Sequence, residues 1–343
     1  MRRLLNTLYV NRPDCYLALE GETVVVQADN SVLIRVPFIN LEGIVVFGYR
    51  GVSPALMGAC AERGVGLTFL AGSGRFLARV VGEPRGNVVL RKQQYRISDD
   101  EHKSCEYAKS FVFGKIYNSK WVLQRVCRDH PLRVNVEEIK AASRRIDSGI
   151  ADLFGCENLG VLRGVEGNAA AVYFQQFGQL ILRNEEFFQF KSRQKRPAVD
   201  PVNALLSFAY AMLGRDCQVA LEGAGLDSYV GFLHRDRPGR HSLALDLMEE
   251  LRSPVADRFV LSLINRAEMT SADFDRAEGG AVRLTENGRK RFLNSWQNRK
   301  HEAIVHPYLR EKLEWGLVPH VQALLLARTI RGDLDKYPPF LWK

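Results

Sequence analysis

The sequence predicts an α+β fold: an N-terminal β domain over residues 1–88, followed by an all-α domain over 89–343. Three observations carry this. Short β-branched runs fill the first ~85 residues. From about residue 89 the apolar spacing changes to a helical period. At 343 residues the chain also exceeds what one core usually serves.

In order, Tyr16–Glu20, Thr23–Gln27, Val32–Phe38 and Ile44–Gly48 read as strands, separated by turn residues such as Glu20-Gly21 and Asp29-Asn30. Ser53-Pro54 then opens a short helix that stops at Gly64, because serine caps and proline fits the first turn. Strands resume at Gly66–Leu70 and Phe76–Val81, and Gly82 to Asn87 marks the boundary. Gly72-Ser-Gly74 lacks the third glycine of a dinucleotide fingerprint and reads as a turn. Helices follow over 101–129, 136–148, 157–182, 200–213, 242–265 and 317–330, with Asp200-Pro201 a start and Gly214 a stop. The prolines of the tail from Asp333 to Lys343 leave it extended.

Apolar residues at 46% and charged residues at 25% exclude disordered, collagenous and coiled-coil chains. No apolar run nears the roughly 18 residues of a membrane span. Without an export signal, and with six cysteines spread singly, the chain is expected in the reducing cytoplasm, without disulfides or structural zinc. The net charge of +9 attracts polyanions. Residues 1–88 hold only +2 of it. The rest contains two basic clusters, Lys191 to Arg196 and Arg283 to Lys300, the second interleaved with Phe292 and Trp296. Two clusters in one part of the chain favour a phosphate-binding surface there.

Certain acids stand where the pattern wants apolar residues. Glu166 lies four after Leu162 and three before Ala169, on the apolar stripe of its helix. A buried unpaired carboxylate costs several kcal/mol. It therefore needs either an arginine such as Arg163 or Arg196, or a metal ion. Asp246, Glu249 and Glu250 share one helix face, the helix being capped by Ser242 and preceded by a loop with His234. They form either a solvated acidic patch neutralised by Arg235, Arg237, Arg240 and Arg252, or part of a cation site. Oxygen donors with one imidazole and no thiolate suit Mg2+ or Mn2+. There is no His-Glu-x-x-His and no serine or cysteine nucleophile motif.

Arg196-Pro-Ala-Val-Asp-Pro-Val-Asn-Ala-Leu-Leu-Ser-Phe-Ala-Tyr, Gly225-Leu-Asp-Ser-Tyr-Val-Gly-Phe-Leu-His234 and Ser242-Leu-Ala-Leu-Asp246-Leu-Met-Glu249-Glu-Leu-Arg together resemble the CRISPR-associated integrase/endonuclease family, the larger of two adaptation proteins. The resemblance is collinear over nearly the whole chain, from Pro37-Phe-Ile-Asn-Leu-Glu-Gly through the Gly-x-Glu-Gly at Glu166. It implies a β-sandwich-like domain joined to a helical catalytic domain. It also implies Mg2+ or Mn2+ held by Glu166, His234 and Glu249, with Asp246 as a ligand or support, and DNA phosphates contacted by Arg193, Lys195, Arg196 and His241. The implied reaction is attack of a spacer 3′-hydroxyl on a repeat phosphodiester, with resolution of branched DNA in reverse. The implied partners are double-stranded DNA, a second copy through the N-terminal domain, and the small second adaptation protein in a heterohexamer-type complex. The Lys336-Tyr-Pro-Pro-Phe tail is similar to subtype I-C members. A metal-dependent nuclease that only cuts, or a non-catalytic DNA-binding subunit, are the competing functions.

Overall fold

The computed structural model describes residues 7–10, 12–29, 31–41, 43–48, 50–71, 76–82, 88–183, 186–194, 197–277 and 279–343. The turn expected at Gly72–Gly74, most of the boundary stretch after Gly82, and Lys195 and Arg196 lie outside them.

The chain begins with β1 (Thr7–Val10), β2 (Tyr16–Glu20), β3 (Thr23–Ala28), β4 (Ser31–Pro37), β5 (Gly43–Phe47), α1 (Pro54–Arg63), β6 (Gly66–Leu70) and β7 (Phe76–Val80). Strands β2, β3 and β4 form an antiparallel meander with a bulge at Val26/Gln27. The second sheet has the order β1-β5-β6-β7. In it β5 pairs in parallel with both β1 and β6, and α1 makes the crossover from β5 to β6. The β-branched runs located six of these strands but not β1, nor the parallel pairing, since parallel partners are distant in sequence. Leu17, Val24 and Val26 of one sheet and Ile44, Val46 and Leu67 of the other fill one core with Phe38 and Leu56. Helix α1 ends as expected, with Ser53 accepting from the Leu56 N–H and Gly64 at φ 67°.

Then follow α2 (Val88–Ser98), α3 (Glu101–Asp129), α4 (Val136–Phe154), α5 (Leu159–Gln176), α6 (Pro201–Gly223), α7 (Ser242–Glu249), a π-helical turn over Arg252–Asp257, and α8 (Arg258–Asn265). Asp100, Asn135, Asn158 and Asp200 cap α3 to α6 with their side chains. Helix α6 overruns the stop expected at Gly214, because Cys217, Ala220 and Leu221 beyond it are buried. That burial outweighs the roughly 1 kcal/mol an interior glycine costs. The single helix expected over 242–265 is broken at Pro254, which brings no N–H to the ladder. Its cap is His241 rather than Ser242, whose hydroxyl instead donates to the Arg235 carbonyl. The chain closes with β8 (Phe274–Arg276), β9 (Val282–Leu284), α9 (Glu286–His301), β10 (Ala303–Val305), β11 (Lys312–Glu314) and α10 (Val318–Arg331). The two hairpins are additions to an otherwise helical region.

The chain forms two compact units, and their division is not contiguous. The first unit holds Met1–Arg85 and also Ala272–Asp275 and Arg283–Glu302. The second holds Gly86–Ser271, Arg276–Val282 and Ala303–Lys343. The basic stretch from Arg283 to Lys300 therefore belongs with the sheets and not with the helical unit. In it Phe292 and Trp296 are buried, Arg291 pairs with Asp273 at 2.8 Å, and Arg289 stands over the Phe47 ring. The tail from Tyr337 is non-helical but not loose, for Tyr337, Phe340 and Trp342 are buried. Among the described residues no helix is long and apolar enough to cross a membrane.

Candidate active site

The site lies within the helical unit and starts with the loop carrying His234. Gln94 of α2, wholly buried, donates to the carbonyls of Asp227 and Val230 (both 2.8 Å) and accepts from the Asp227 N–H. Ser98 donates to the Gly231 carbonyl, and Arg163 of α5 grips the Leu233 carbonyl through Nε and Nη2. On the other side the buried Asp246 of α7 accepts the N–H groups of Phe232, Leu233 and His234 at 2.6, 2.9 and 3.0 Å. Gly231 lets the loop lie against α7, since a Cβ there would come within 2.8 Å of Ser242 Cβ and 2.9 Å of Asp246 Oδ2.

Asp246 also meets His234 Nδ1 at 2.6 Å. A carboxylate accepts, so Nδ1 carries the proton and Nε2 faces away from Asp246, toward Glu249 Oε1 at 3.8 Å. With four donors converging on it, Asp246 acts as a positioning residue. Glu249, one turn along α7, is 3% exposed. Its Oε1 pairs with Arg252 at 2.9 Å and its Oε2 with Lys115 Nζ of α3 at 2.7 Å. Lys115 also pairs with Glu166 of α5. Burial pushes the Glu249 carboxyl up, but Arg252, Lys115 and His234 outweigh it and hold it down at about 2.

Glu166 is half-buried between Leu162 and Ala169, as its position on the stripe requires. The cation it meets is Lys115, not Arg163. The acids of α7 do not form a solvated patch, and they diverge. Asp246 turns to the loop, Glu249 to Lys115 and Arg252, and Glu250 to the tail. Glu250 is wholly buried and accepts from Gln322 Nε2 (2.9 Å), the Tyr337 hydroxyl (2.5 Å) and the Phe340 N–H (2.9 Å). Burial without a cation pushes it up to about 7.

Glu166, His234 and Glu249 thus converge from α5, the loop and α7, while Asp246 stands behind the imidazole. Two carboxylates and a free Nε2 without thiolate suit a hard divalent cation. The buried Glu249 Oε2 also lacks an aligned hydrogen bond, the ammonium of Lys115 notwithstanding. The set fits in kind. As the side chains stand, no three His, Cys, Asp or Glu among the described residues come close enough to hold a metal ion, and Lys115 lies between the two glutamates.

The expected phosphate contacts fare differently. Arg193 is committed internally, to Asn203 Oδ1 (2.8 Å), the Gln194 carbonyl (2.6 Å) and Ser207 Oγ (3.2 Å). His241 Nδ1 bonds Ser228 Oγ at 2.9 Å and its ring lies 4.0 Å from Tyr229. Lys195 and Arg196 are outside the described residues. Sequence reasoning missed Lys115, although the signal was there: it stands four after buried Phe111 on the apolar stripe of α3, the argument that found Glu166. It also missed Asp257, buried beneath Tyr173 and Tyr210, whose hydroxyls donate to it at 3.1 and 2.6 Å.

Residues 8–298 match the family model described as CRISPR associated protein Cas1. The chain is 46% identical over 343 residues to a CRISPR-associated endonuclease Cas1 of Chlorobaculum tepidum, covering both chains in full. It is 48% identical over 347 residues to another of Rhodospirillum rubrum, again in full. Its fold is similar to a casposase bound to integration product (TM-score 0.84, 24% identity, 98% of this chain and 94% of that one). It is also similar to a Cas1 protein from Thermotoga maritima (TM-score 0.81, 20% identity, 95% and 97%). A Cas6-RT-Cas1–Cas2 complex contains a further match (TM-score 0.82, 20% identity), where this chain covers 36% of the other.

Proposed function

The chain belongs to the CRISPR-associated Cas1 family, and from that premise we propose that it is a DNA endonuclease and integrase that joins spacer DNA to the CRISPR repeat. The 3′-hydroxyl of the incoming DNA attacks a repeat phosphodiester, and the leaving 3′-oxygen is released; in reverse the same step resolves branched DNA. The observation that supports this most is the convergence of Glu166, Glu249 and His234 Nε2 from three separate elements, in a chain whose whole length matches proteins named as endonucleases.

Glu166, His234 and Glu249 would hold Mg2+ or Mn2+. Such an ion, when bound, supplies charge that polarises the scissile phosphate and stabilises the attacking and leaving oxygens. The chain's own residues orient and neutralise. Asp246 holds the His234 Nδ1 proton, keeping Nε2 available as a donor. Arg252 keeps Glu249 ionised in a buried place. No side-chain nucleophile is needed, because the DNA hydroxyl attacks.

Double-stranded DNA is then the substrate, a second copy would pair through the first unit, and the small second adaptation protein would complete a heterohexamer-type assembly. A fold neighbour bound to an integration product supports the DNA substrate, and one in a complex with Cas2 supports the small second protein. The test is incubation of the full chain with repeat plasmid and DNA carrying a free 3′-hydroxyl, with Mn2+ or with chelator. Covalently joined DNA, lost in His234→Ala, is the expected result. Cut plasmid with no joined species indicates a nuclease that only cuts, and retarded but intact DNA a binding subunit.

A further inference from the structure

Lys115 stands between the two glutamates that the proposed function assigns to the metal. Its side chain is 11% exposed, and it meets the carboxylates of Glu166 and of the 4%-exposed Glu249. Two carboxylates brought together with one of them buried repel each other unless a cation stands between them. Arg252 pairs directly with Glu249 Oε1 and acts on Glu166 only from farther off, so the direct bridge to Glu166 is made by Lys115.

Resting on that reading of the site, we infer that Lys115 is a resident cation which holds Glu166 and Glu249 together and is displaced when the two glutamates take up a divalent cation. The backbone beneath it is pinned. At Gly114 an added Cβ would lie 2.6 Å from Glu250 Cβ and 3.2 Å from Pro339 Cβ, so α3 is pressed against the end of α7. The four-carbon stem above that anchor has rotatable bonds, and the ammonium is a compact charge without a fixed fork. Its contact with Glu249 Oε2 is a close charge pair at 2.7 Å. Ammonium and metal therefore compete for the same oxygens. Each lowers the affinity of the glutamates for the other by the same factor. The fold is thereby kept assembled without metal, and the site passes to the metal form by exchange of one cation for another.

Titration of the full chain with Mn2+ alone, read from the electron-spin resonance of free Mn2+, tests this. Lys115→Met is expected to bind Mn2+ about tenfold more tightly than wild type. Its thermal midpoint without Mn2+ is expected below that of wild type and to rise further on saturation. A purely structural lysine predicts the reverse, weaker binding, and equal or weaker binding by the folded variant overturns the inference. Should Lys115→Met not fold, the wild-type chain answers by itself: acylation of Lys115, read by peptide mass spectrometry, is expected to rise at saturating Mn2+. Unchanged acylation while Mn2+ is bound, and lost in Glu166→Gln, overturns the displacement but leaves the metal assignment standing. Absence of Mn2+ binding in both wild type and Lys115→Met overturns both.

Discussion

The two sides of α7 treat the same side chain in opposite ways. Glu249 and Glu250 are neighbours, both buried, yet one is held down at about 2 and the other pushed up to about 7. Glu249 looks toward Lys115, Arg252 and His234, whereas Glu250 looks toward a phenol, a carboxamide and a backbone N–H of the tail. Both sides supply polar contacts to the buried oxygens. Only cations overcome the loss of water around a full charge. One face of the helix is thus built to keep charge for use, and the other to anchor the C-terminal segment.

The largest effect expected along this contrast is on the charged side. Glu166→Ala, His234→Ala and Glu249→Ala should each lower DNA joining by more than about a hundredfold, beyond the 10–100-fold range of groups that merely support a ligand. A gel assay for joined product measures it, and retention of activity by Glu250→Gln in the same assay would sharpen the division.

Asp246→Ala comes next. It strands three loop N–H groups and the His234 Nδ1–H in the interior. A loss of about 3–5 kcal/mol in unfolding free energy is expected, with joining reduced along with it. A variant as stable as wild type by urea unfolding would break the claim that Asp246 organises the loop.

The tail side predicts a pH dependence. Glu250 takes up its proton more readily folded, at about 7, than at its ordinary 4.5, and Asp257 behaves alike, at about 6 against 3.8. Burial is the main cause in both. Their contributions are complete below the ordinary values and are lost as pH rises through about 6 for Asp257 and about 7 for Glu250. For Glu250 the loss amounts to about 3 kcal/mol. Glu249 runs the other way, its contribution present above 4.5 and lost only as pH falls toward 2. Urea unfolding with chelator from pH 4.5 to 8 should decline in stability, and Glu250→Gln should flatten the decline. The smallest effect is Tyr337→Phe, which removes one donor to Glu250 and should cost about 1 kcal/mol, with no change in joining.

Much of this was legible beforehand. Glu166 betrays itself because an acid on an apolar stripe breaks the helical period, and caps such as Ser53 and Asp200 are local chemistry that needs no tertiary context. Lys115 could have been found by the same rule. Other features had no local signature. The shared helix face of Asp246, Glu249 and Glu250 promised one acidic cluster, yet each turns to a different neighbour; Arg252 is local to Glu249, but the others come from α3, the His234 loop and the tail. Nor did composition foretell that the basic, aromatic stretch from Arg283 would bury Phe292 and Trp296 in the first unit. Gly214 and Pro254 mark the same limit from two directions, the one overridden by burial and the other enforced by a missing N–H.

What the sequence determined by itself is whatever is decided within a few residues: strand and helix periods, capping, the change of architecture near residue 89, and which acids sit where burial makes them costly. Apart from Arg252, which stands three residues from Glu249 and was among the arginines the sequence offered, tertiary structure decided which partner each of those acids received. It set Lys115 between Glu166 and Glu249, gave Asp246 to the loop, and gave Glu250 to the tail. The reason is physical: ionisation of a buried group depends on the charges and donors within a few ångströms, and here these come from residues 12 to 14 positions away for Asp246, 51 for Glu166 and 72 to 90 for Glu250.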